Sequence, residues 1–431
     1  MNFGLKNRLL KSDKLKCRIN SNVLMSEWRE VKIMLISNVV WAVLLYFIQP
    51  VFIVGLLYAY GNYKKRVNYS RKTFRVNFNR STFELKDYFL KGLLPGLIIS
   101  VLSVVLGVPL TIEWYVAYQG ITILLMLIGG SRFIHPIFTF SMTSILFYIF
   151  EHLNFNVNFS WLQPIINENL FAANFEVNPF SALVTNGLFF ASLILLFSLF
   201  TLTTKTENEI FPVLGSSKRG KTVAQYPMKS LWVLPMAVVV PGEVFEPFAD
   251  WWPVFNIGSE SYAFLLLPVL VGFHYTVSTQ LFTEAAKHLR KEFLWLFFIS
   301  MIGVMASYFY LSISIWVVVL VFIAGLFILY RHRRRENMHN YRYGPADEGL
   351  RVIAVRRDSP AERMNLSIGD IIMDMNDQSI TTREEFNERV AYNRSYVKMR
   401  IRRKDGEIVI TETPLYDDDY NNLGLLILEN E

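Results

Sequence analysis

The residues that could do chemistry are few, and their spacing does not suit catalysis. Six histidines occur: His135, His152, His274, His288, His332 and His339. A zinc hydrolase working inside a membrane needs two histidines one helical turn apart with a glutamate between them, to hold the ion and activate its water. No two of the six stand that way. A serine hydrolase needs Ser, His and Asp gathered by a sizeable soluble domain, and neither that domain nor a Gly-x-Ser-x-Gly or Gly-x-Ser-Gly motif is found. Gly215-Ser-Ser-Lys-Arg-Gly220 looks like a phosphate loop but lacks the Gly-Lys-Ser/Thr ending, so it reads as a flexible loop. Cys17 is the single cysteine, which excludes an internal disulfide and an all-cysteine zinc site. The expectation is therefore no catalytic residues, no metal and no cofactor. The other chemically notable groups are His274, Glu243 and Glu246, which fall within or beside apolar stretches. Polar groups there are functional suspects by default, although most bond to a neighbouring element.

Such groups must be carried by elements that meet lipid. Of 431 residues, 52% are hydrophobic and 18% charged, with 35 Phe and a mean hydropathy of +0.30. Soluble domains average roughly 25% charged, so a disordered chain is excluded and a wholly soluble globule is not expected. The net charge of +7 is the sum of two unequal parts. Residues 344–431 hold 12 Lys+Arg against 18 Asp+Glu, a net of −6, which leaves +13 on residues 1–343. That excess reads as contact with anionic membrane lipids, with no nucleic acid among the expected partners.

A spanning helix takes about 20 apolar residues. The candidates are 33–60, broken at Gln49-Pro50, then 93–112, 114–128, 133–150, 182–202, 231–248, 262–282, 293–311 and 313–330. The stretch after Leu231 is the weakest, since Pro235, Pro241, Glu243 and Glu246 interrupt it. Lys and Arg mark the cytoplasmic loops. They are dense in 61–92, 205–229, 287–291 and 331–335, and absent from 151–180 and 242–261, so the loops alternate from residue 61 onward. The basic residues 1–32 break this alternation. Either the segment before Gln49-Pro50 dips back at the interface, or the chain starts at Met25. Gly92 and Gly96 read as close-packing positions. The expected organisation is a basic N-terminal extension (1–32), a multi-pass transmembrane domain of about eight or nine spans (33–330), a basic juxtamembrane linker (331–343) and a soluble cytoplasmic domain with an acidic tail (344–431).

The last segment has a different grammar. Leu350–Val355 reads as a strand, and Ser359-Pro360 opens a short helix as cap and first helical residue. Strands follow at 371–375, 396–403 and 407–413, the last two joined at Asp405-Gly406. Thr382-Arg-Glu-Glu385 is a capping box for a helix to Tyr392. The run from Val355 through Ser359-Pro-Ala361 and Gly369-Asp-Ile371 to Asn376-Asp377 resembles a bacterial PDZ domain. Asn365 and Asp377 stand where that pattern has glycines, and both residue types tolerate positive φ. The fold class is thus an α-helical polytopic membrane domain plus a C-terminal α+β PDZ domain, a small partly open β-barrel with two helices. PDZ domains bind extended peptides by strand addition. By that resemblance the groove lies between Gly349, Leu350, Arg351, Val352, Ile353 and Ala354 on one side and Phe386, Arg389 and Val390 on the other. The turn Gly344–Gly349 would face a peptide carboxylate.

A multi-pass domain followed by one C-terminal PDZ domain is similar to the MinJ family of Gram-positive bacteria. Further points of likeness are Phe83-Glu-Leu-Lys86, Gly92-Leu-Leu-Pro-Gly-Leu97 and the tail Leu415-Tyr-Asp-Asp-Asp-Tyr420 with Leu423-Gly-Leu-Leu426. The resemblance implies a scaffold in the cell membrane, enriched at septum and poles, that bridges DivIVA-like and MinD-like (MinC–MinD) division proteins. A second copy of the chain is a further partner it leaves open. Two other readings fit the same layout: an adaptor that serves a separate membrane protease, and a transporter with a regulatory PDZ domain.

Overall fold

The computed structural model describes residues 40, 43–74, 82–152, 180–202, 210–217, 220–241, 254–257, 260–338, 341–392, 395–416 and 423–428. The basic extension 1–32, Met25, Glu243, Glu246 and the acidic run 417–419 lie outside them.

Eight helices are described before the C-terminal domain: α1 (Pro50–Phe74), α2 (Phe83–Leu90), α3 (Leu93–Leu106), α4 (Ile112–Gly129), α5 (Pro136–His152), α6 (Phe180–Thr201), α7 (Phe282–Phe309) and α8 (Ser314–Met338). Helix α1 begins at Pro50, where proline's missing N–H costs a helix least. Five stretches are long and apolar enough to cross a membrane: Phe83–Leu106, Glu113–Arg132, Ser181–Thr201, Phe282–Phe309 and Leu311–Met338. Their large exposed side chains recur at helical spacing. Leu94, Leu97, Val101 and Val105 do so on α3, and Trp316, Leu320, Ile323 and Phe327 on α8. Apolar stripes of that width are lipid-facing surfaces, and the protein is a membrane protein.

The stretches 231–248 and 262–282, expected as helices, instead form strands through Pro241 in the first and from Tyr262 to Val277 in the second. A four-stranded sheet runs in the order β1 (Val213–Ser216), β2 (Thr222–Pro241), β4 (Glu260–Val277), β3 (Val254–Ile257). Its centre is one antiparallel ribbon paired without a bulge from Tyr226↔Val277 to Pro241↔Tyr262. His274 therefore stands in a strand, opposite Lys229. Ribbon side chains on both faces are buried: Trp232, Leu234, Met236, Leu267, Val269 and Val271 on one, and Leu231, Val233 and Leu270 on the other.

Backbone that is neither helix nor closed barrel survives at membrane depth only where protein satisfies it. The ribbon meets this condition in three ways. Side chains and loops bond its open edges: Ala237 N–H donates to Ser100 Oγ at 2.8 Å, Leu270 N–H to Tyr118 Oη at 3.2 Å and Gly272 N–H to the Ile134 carbonyl at 3.1 Å. Gln49 Nε2 donates to the Leu266 carbonyl at 2.9 Å and Leu110 N–H to that of Val239 at 3.1 Å. Second, these bonds fix which parity points outward, and Pro227, Pro235 and Pro241 on β2 and Pro268 on β4 all fall on outward positions. There the proline deletes a donor that would have no ladder partner. Third, α3 lies against the β2 edge through Gly92 and Gly96. A Cβ on Gly92 would sit 1.8 Å from the Val233 carbonyl oxygen, and one on Gly96 2.5 Å from that of Pro235. The small-residue pair expected for helix contact thus brings a helix onto a strand edge.

His135 is a satisfied core histidine. Its Nδ1 accepts the Ile137 N–H at 3.2 Å, and its Nε2 lies 3.1 Å from Ser198 Oγ. An accepting Nδ1 puts the proton on Nε2.

Candidate peptide-binding surface

The C-terminal domain contains β5 (Leu350–Val355), α9 (Pro360–Arg363), β6 (Ile371–Met375), β7 (Gln378–Ser379), α10 (Arg383–Tyr392), β8 (Tyr396–Arg402), β9 (Ile408–Pro414) and β10 (Leu425–Leu428). The strands pair in the order β10-β5-β6-β8-β9, with β7 against β6. Local chemistry accounts for the boundaries. Ser359 Oγ accepts the Glu362 N–H, and Pro360 opens α9. Thr382 Oγ1 accepts the Glu385 N–H at 3.2 Å while the Glu385 carboxylate accepts from the Thr381 and Thr382 amides at 3.0 and 3.3 Å, so the capping box forms. Those amide donors hold the Glu385 carboxyl below its usual range. Asn365 and Asp377 take φ of 54° and 60°, as their types suggest.

The strand nominated from sequence as the groove wall is paired on its inner side over Leu350–Val352 and on its outer side over Arg351–Val355. Inward, Leu350 and Arg351 pair with Ile372 and Ile371, and Val352 N–H donates to the Asp370 carbonyl at 2.8 Å. Outward, Val355, Ala354, Val352 and Arg351 pair with Leu425, Leu426, Ile427 and Leu428 of β10. Gly349 has φ of 79°, and a Cβ there would meet the Ile372 carbonyl oxygen at 2.2 Å. The Arg351 guanidinium is turned inward, donating to the Gly344 carbonyl at 2.7 Å and that of Gly369 at 3.3 Å, and burial pulls its pKa down. These residues build the sheet, and the chain's own tail occupies the place expected for a peptide.

The strand with an open side is β10, which no described strand pairs on its far edge. Leu425 and Ile427 are half-buried against the domain core that also takes Phe386 and Val390 from α10, while Arg389 donates to the Gln378 carbonyl at 2.7 Å. The strand follows Gly424, whose φ is 77° and whose carbonyl accepts the Arg356 N–H at 2.7 Å. Arg356 and Arg357 are exposed. Sequence reading missed β10 because Leu423–Leu428 lacks alternation. Its signal was an apolar run after a glycine, which suits a strand buried on both faces.

The other face explains that burial. Ile353, Ala354, Leu426 and Leu428 belong to the hydrophobic core of the membrane-embedded part. Tyr226, near the start of β2, donates its hydroxyl to the Ile353 carbonyl at 2.8 Å and meets the Tyr343 ring edge-on at 4.7 Å. Ala224 N–H donates to the Tyr343 carbonyl at 3.0 Å and Arg342 N–H to that of Ser278 at 3.1 Å. Beside this joint the Glu336 carboxylate of α8 accepts the Ser278 and Thr279 amides at 2.7 and 3.0 Å, both their hydroxyls at 3.1 Å and Gln280 Nε2 at 2.6 Å.

Comparison with known proteins bears on both parts of the chain. Residues 332–411 match the family model of the PDZ domain. The chain is 25% identical over 392 residues to the cell division topological determinant MinJ of Bacillus subtilis, covering 90% of this chain and 94% of that protein. It is 29% identical over 86 residues to a probable cell division topological determinant MinJ of Lacticaseibacillus paracasei, covering 20% and 23% of the two chains. A crystal structure of the PDZ domain of the SdrC-like protein from Listeria monocytogenes aligns at 17% identity over 19% of this chain and 90% of that one. Its TM-score of 0.17 is too low to bear on the fold.

Proposed function

We propose that this chain, similar to a MinJ determinant over nine tenths of its length, is a non-catalytic membrane adaptor that helps to place the division septum. That full-length likeness carries the reading. The membrane part fixes the adaptor in the bilayer and the PDZ domain recruits partners on the cytoplasmic side, linking a DivIVA-like protein to MinC–MinD. The basic loops support this orientation. Ribbon strands β2 and β4 still make one crossing out and one back, so the alternation of charged loops survives their not being helices.

Peptide capture would then use the open edge of β10 rather than that of β5. Phe386, Arg389 and Val390 would lie across the groove, and Arg356 beside Gly424 would supply positive charge near the strand's start. Strand addition satisfies main-chain groups while side-chain pockets select sequence.

The test is localisation of the tagged full chain together with cell-length and septum-position measurements after its deletion. Accumulation at septa and misplaced septa on deletion are expected. Uniform membrane fluorescence with unchanged septa would end this reading. Photo-crosslinking from position 425 separates the two groove assignments, since partner capture there and not from position 353 places the peptide on β10.

A further inference from the structure

A cavity of about 230 Å³ opens among α1, α2, β1 and β2, on the same side of the membrane part as the C-terminal domain. Three cations line it, Lys65, Arg66 and Lys229, against one carboxylate, Glu84. Glu84 is committed: Arg66 Nε and one terminal nitrogen donate to its two oxygens at 2.6 and 3.0 Å. The Arg66 guanidinium also lies 4.6 Å from the centre of the Phe83 ring, so the ion pair is a fixed wall. The cavity keeps two net positive charges. Lys65 and Lys229 are exposed, and Lys65 has no partner among the described residues. Tyr69 and Phe211, edge-on at 6.2 Å, line the same cavity.

Depth narrows the ligand. On α1 the exposed side chains are apolar through Leu57 and Tyr60, and the lining begins two residues later at Asn62. Across the cavity, the chain enters its next apolar stretch at Leu90, Leu93 and Leu94. The cavity thus sits where hydrocarbon gives way to headgroups, which is where basic pockets between membrane elements meet anionic lipid.

We propose that this cavity holds the phosphate-bearing headgroup of an anionic phospholipid. Lys65 and Lys229 would meet the phosphate, the pinned Arg66 would set the electrostatic wall, and the aromatic side chains would pack against the outer end of the headgroup. Only the side of the membrane is borrowed from the functional reading above.

The experiment uses the full chain in mild detergent, with native mass spectrometry after exposure to phosphatidylglycerol or phosphatidylcholine vesicle lipid. The wild type should retain phosphatidylglycerol selectively. A direct hydrogen bond to a charged group is worth about tenfold or more, so K65A/K229A should bind about a hundredfold more weakly. The pair K64A/K72A removes equal charge from exposed α1 positions outside the lining and should change little. Equal retention of both lipids, or equal loss in both double variants, would overturn the site in favour of diffuse surface attraction. Displacement by millimolar inorganic phosphate would overturn the lipid in favour of free phosphate. Since no division partner enters the measurement, its failure leaves the adaptor reading standing, and unchanged septa on deletion would leave the lipid result standing.

Discussion

Replacing Glu336 by Ala removes the acceptor of five hydrogen bonds at the joint between α8, the end of β4 and the C-terminal domain. Thr279 and Gln280 are half-buried and can recruit water, so their loss counts for little. Ser278 is buried, and its amide and hydroxyl would both lose a charged acceptor. Hydrogen bonds to charged groups contribute about 1.5–3 kcal/mol each, so the two together give about 3–6 kcal/mol. Glu336→Gln keeps an acceptor for Gln280 but turns an amide toward the Ser278 donors, and should fall between wild type and Ala. Thermal unfolding of the full chain in detergent reads the global effect. Hydrogen exchange over residues 276–281 reads the local one, where 3 kcal/mol is a factor of about 150 in opening. If Glu336→Ala unfolds within about 0.5 kcal/mol of wild type and exchange there is unchanged, the network does not hold the joint.

Four further outcomes follow from the same geometry. Pro268→Ala would stabilise a helix by about 3 kcal/mol but adds an outward N–H on the ribbon edge, so a drop in thermal midpoint is expected and a clear rise would contradict the ribbon. Gly92→Ala drives a Cβ into the Val233 carbonyl and should cost about 1–3 kcal/mol, whereas Gly61→Ala, with open space around it, should be neutral or mildly stabilising. Tyr226→Phe strands the Ile353 carbonyl at a cost of about 1–3 kcal/mol, visible as faster proteolysis near residue 340 with membrane helices intact. Because the folded Glu385 carboxyl is held below its usual 4.5, its contribution is present above that pH and is lost as pH falls through the lower folded value. The protection factors of the Thr381 and Thr382 amides, taken against their intrinsic exchange rates, should therefore fall on acidification below 4.5, and Glu385→Gln should remove that dependence.

Local chemistry made most of the C-terminal domain legible. Ser359, Thr382 and Glu385 mark helix starts by what their oxygens accept, and Asn365 and Asp377 mark turns by the φ they tolerate. The helical stripes of α3, α7 and α8 were equally readable, since one face of each meets lipid. The ribbon was not, because a strand buried on both faces has no alternation and its apolar run has the length of a spanning helix. The available clue was spacing: Pro227, Pro235 and Pro241 differ by even numbers, which keeps them on one edge of a strand and scatters them around a helix. The pairing of β5 with β10 escaped sequence reading for a similar reason. The partner of β5 comes from Leu425–Leu428, about seventy residues downstream, and a strand's neighbour depends on long-range pairing that no local pattern encodes.

The ribbon has sixteen continuous pairs. At about 3.4 Å per residue they reach roughly 54 Å, well beyond the roughly 30 Å hydrocarbon thickness. With the Tyr226 end seated under Ile353, the ribbon is a strut long enough to carry the joint with the C-terminal domain past that thickness. On the adaptor reading proposed above, a peptide adding to the β10 edge would meet it on a domain bonded to the membrane part rather than on a loose tether. Partners tethered to the same membrane by short linkers reach it at high effective concentration, while the same motif on a freely diffusing protein gains no such advantage.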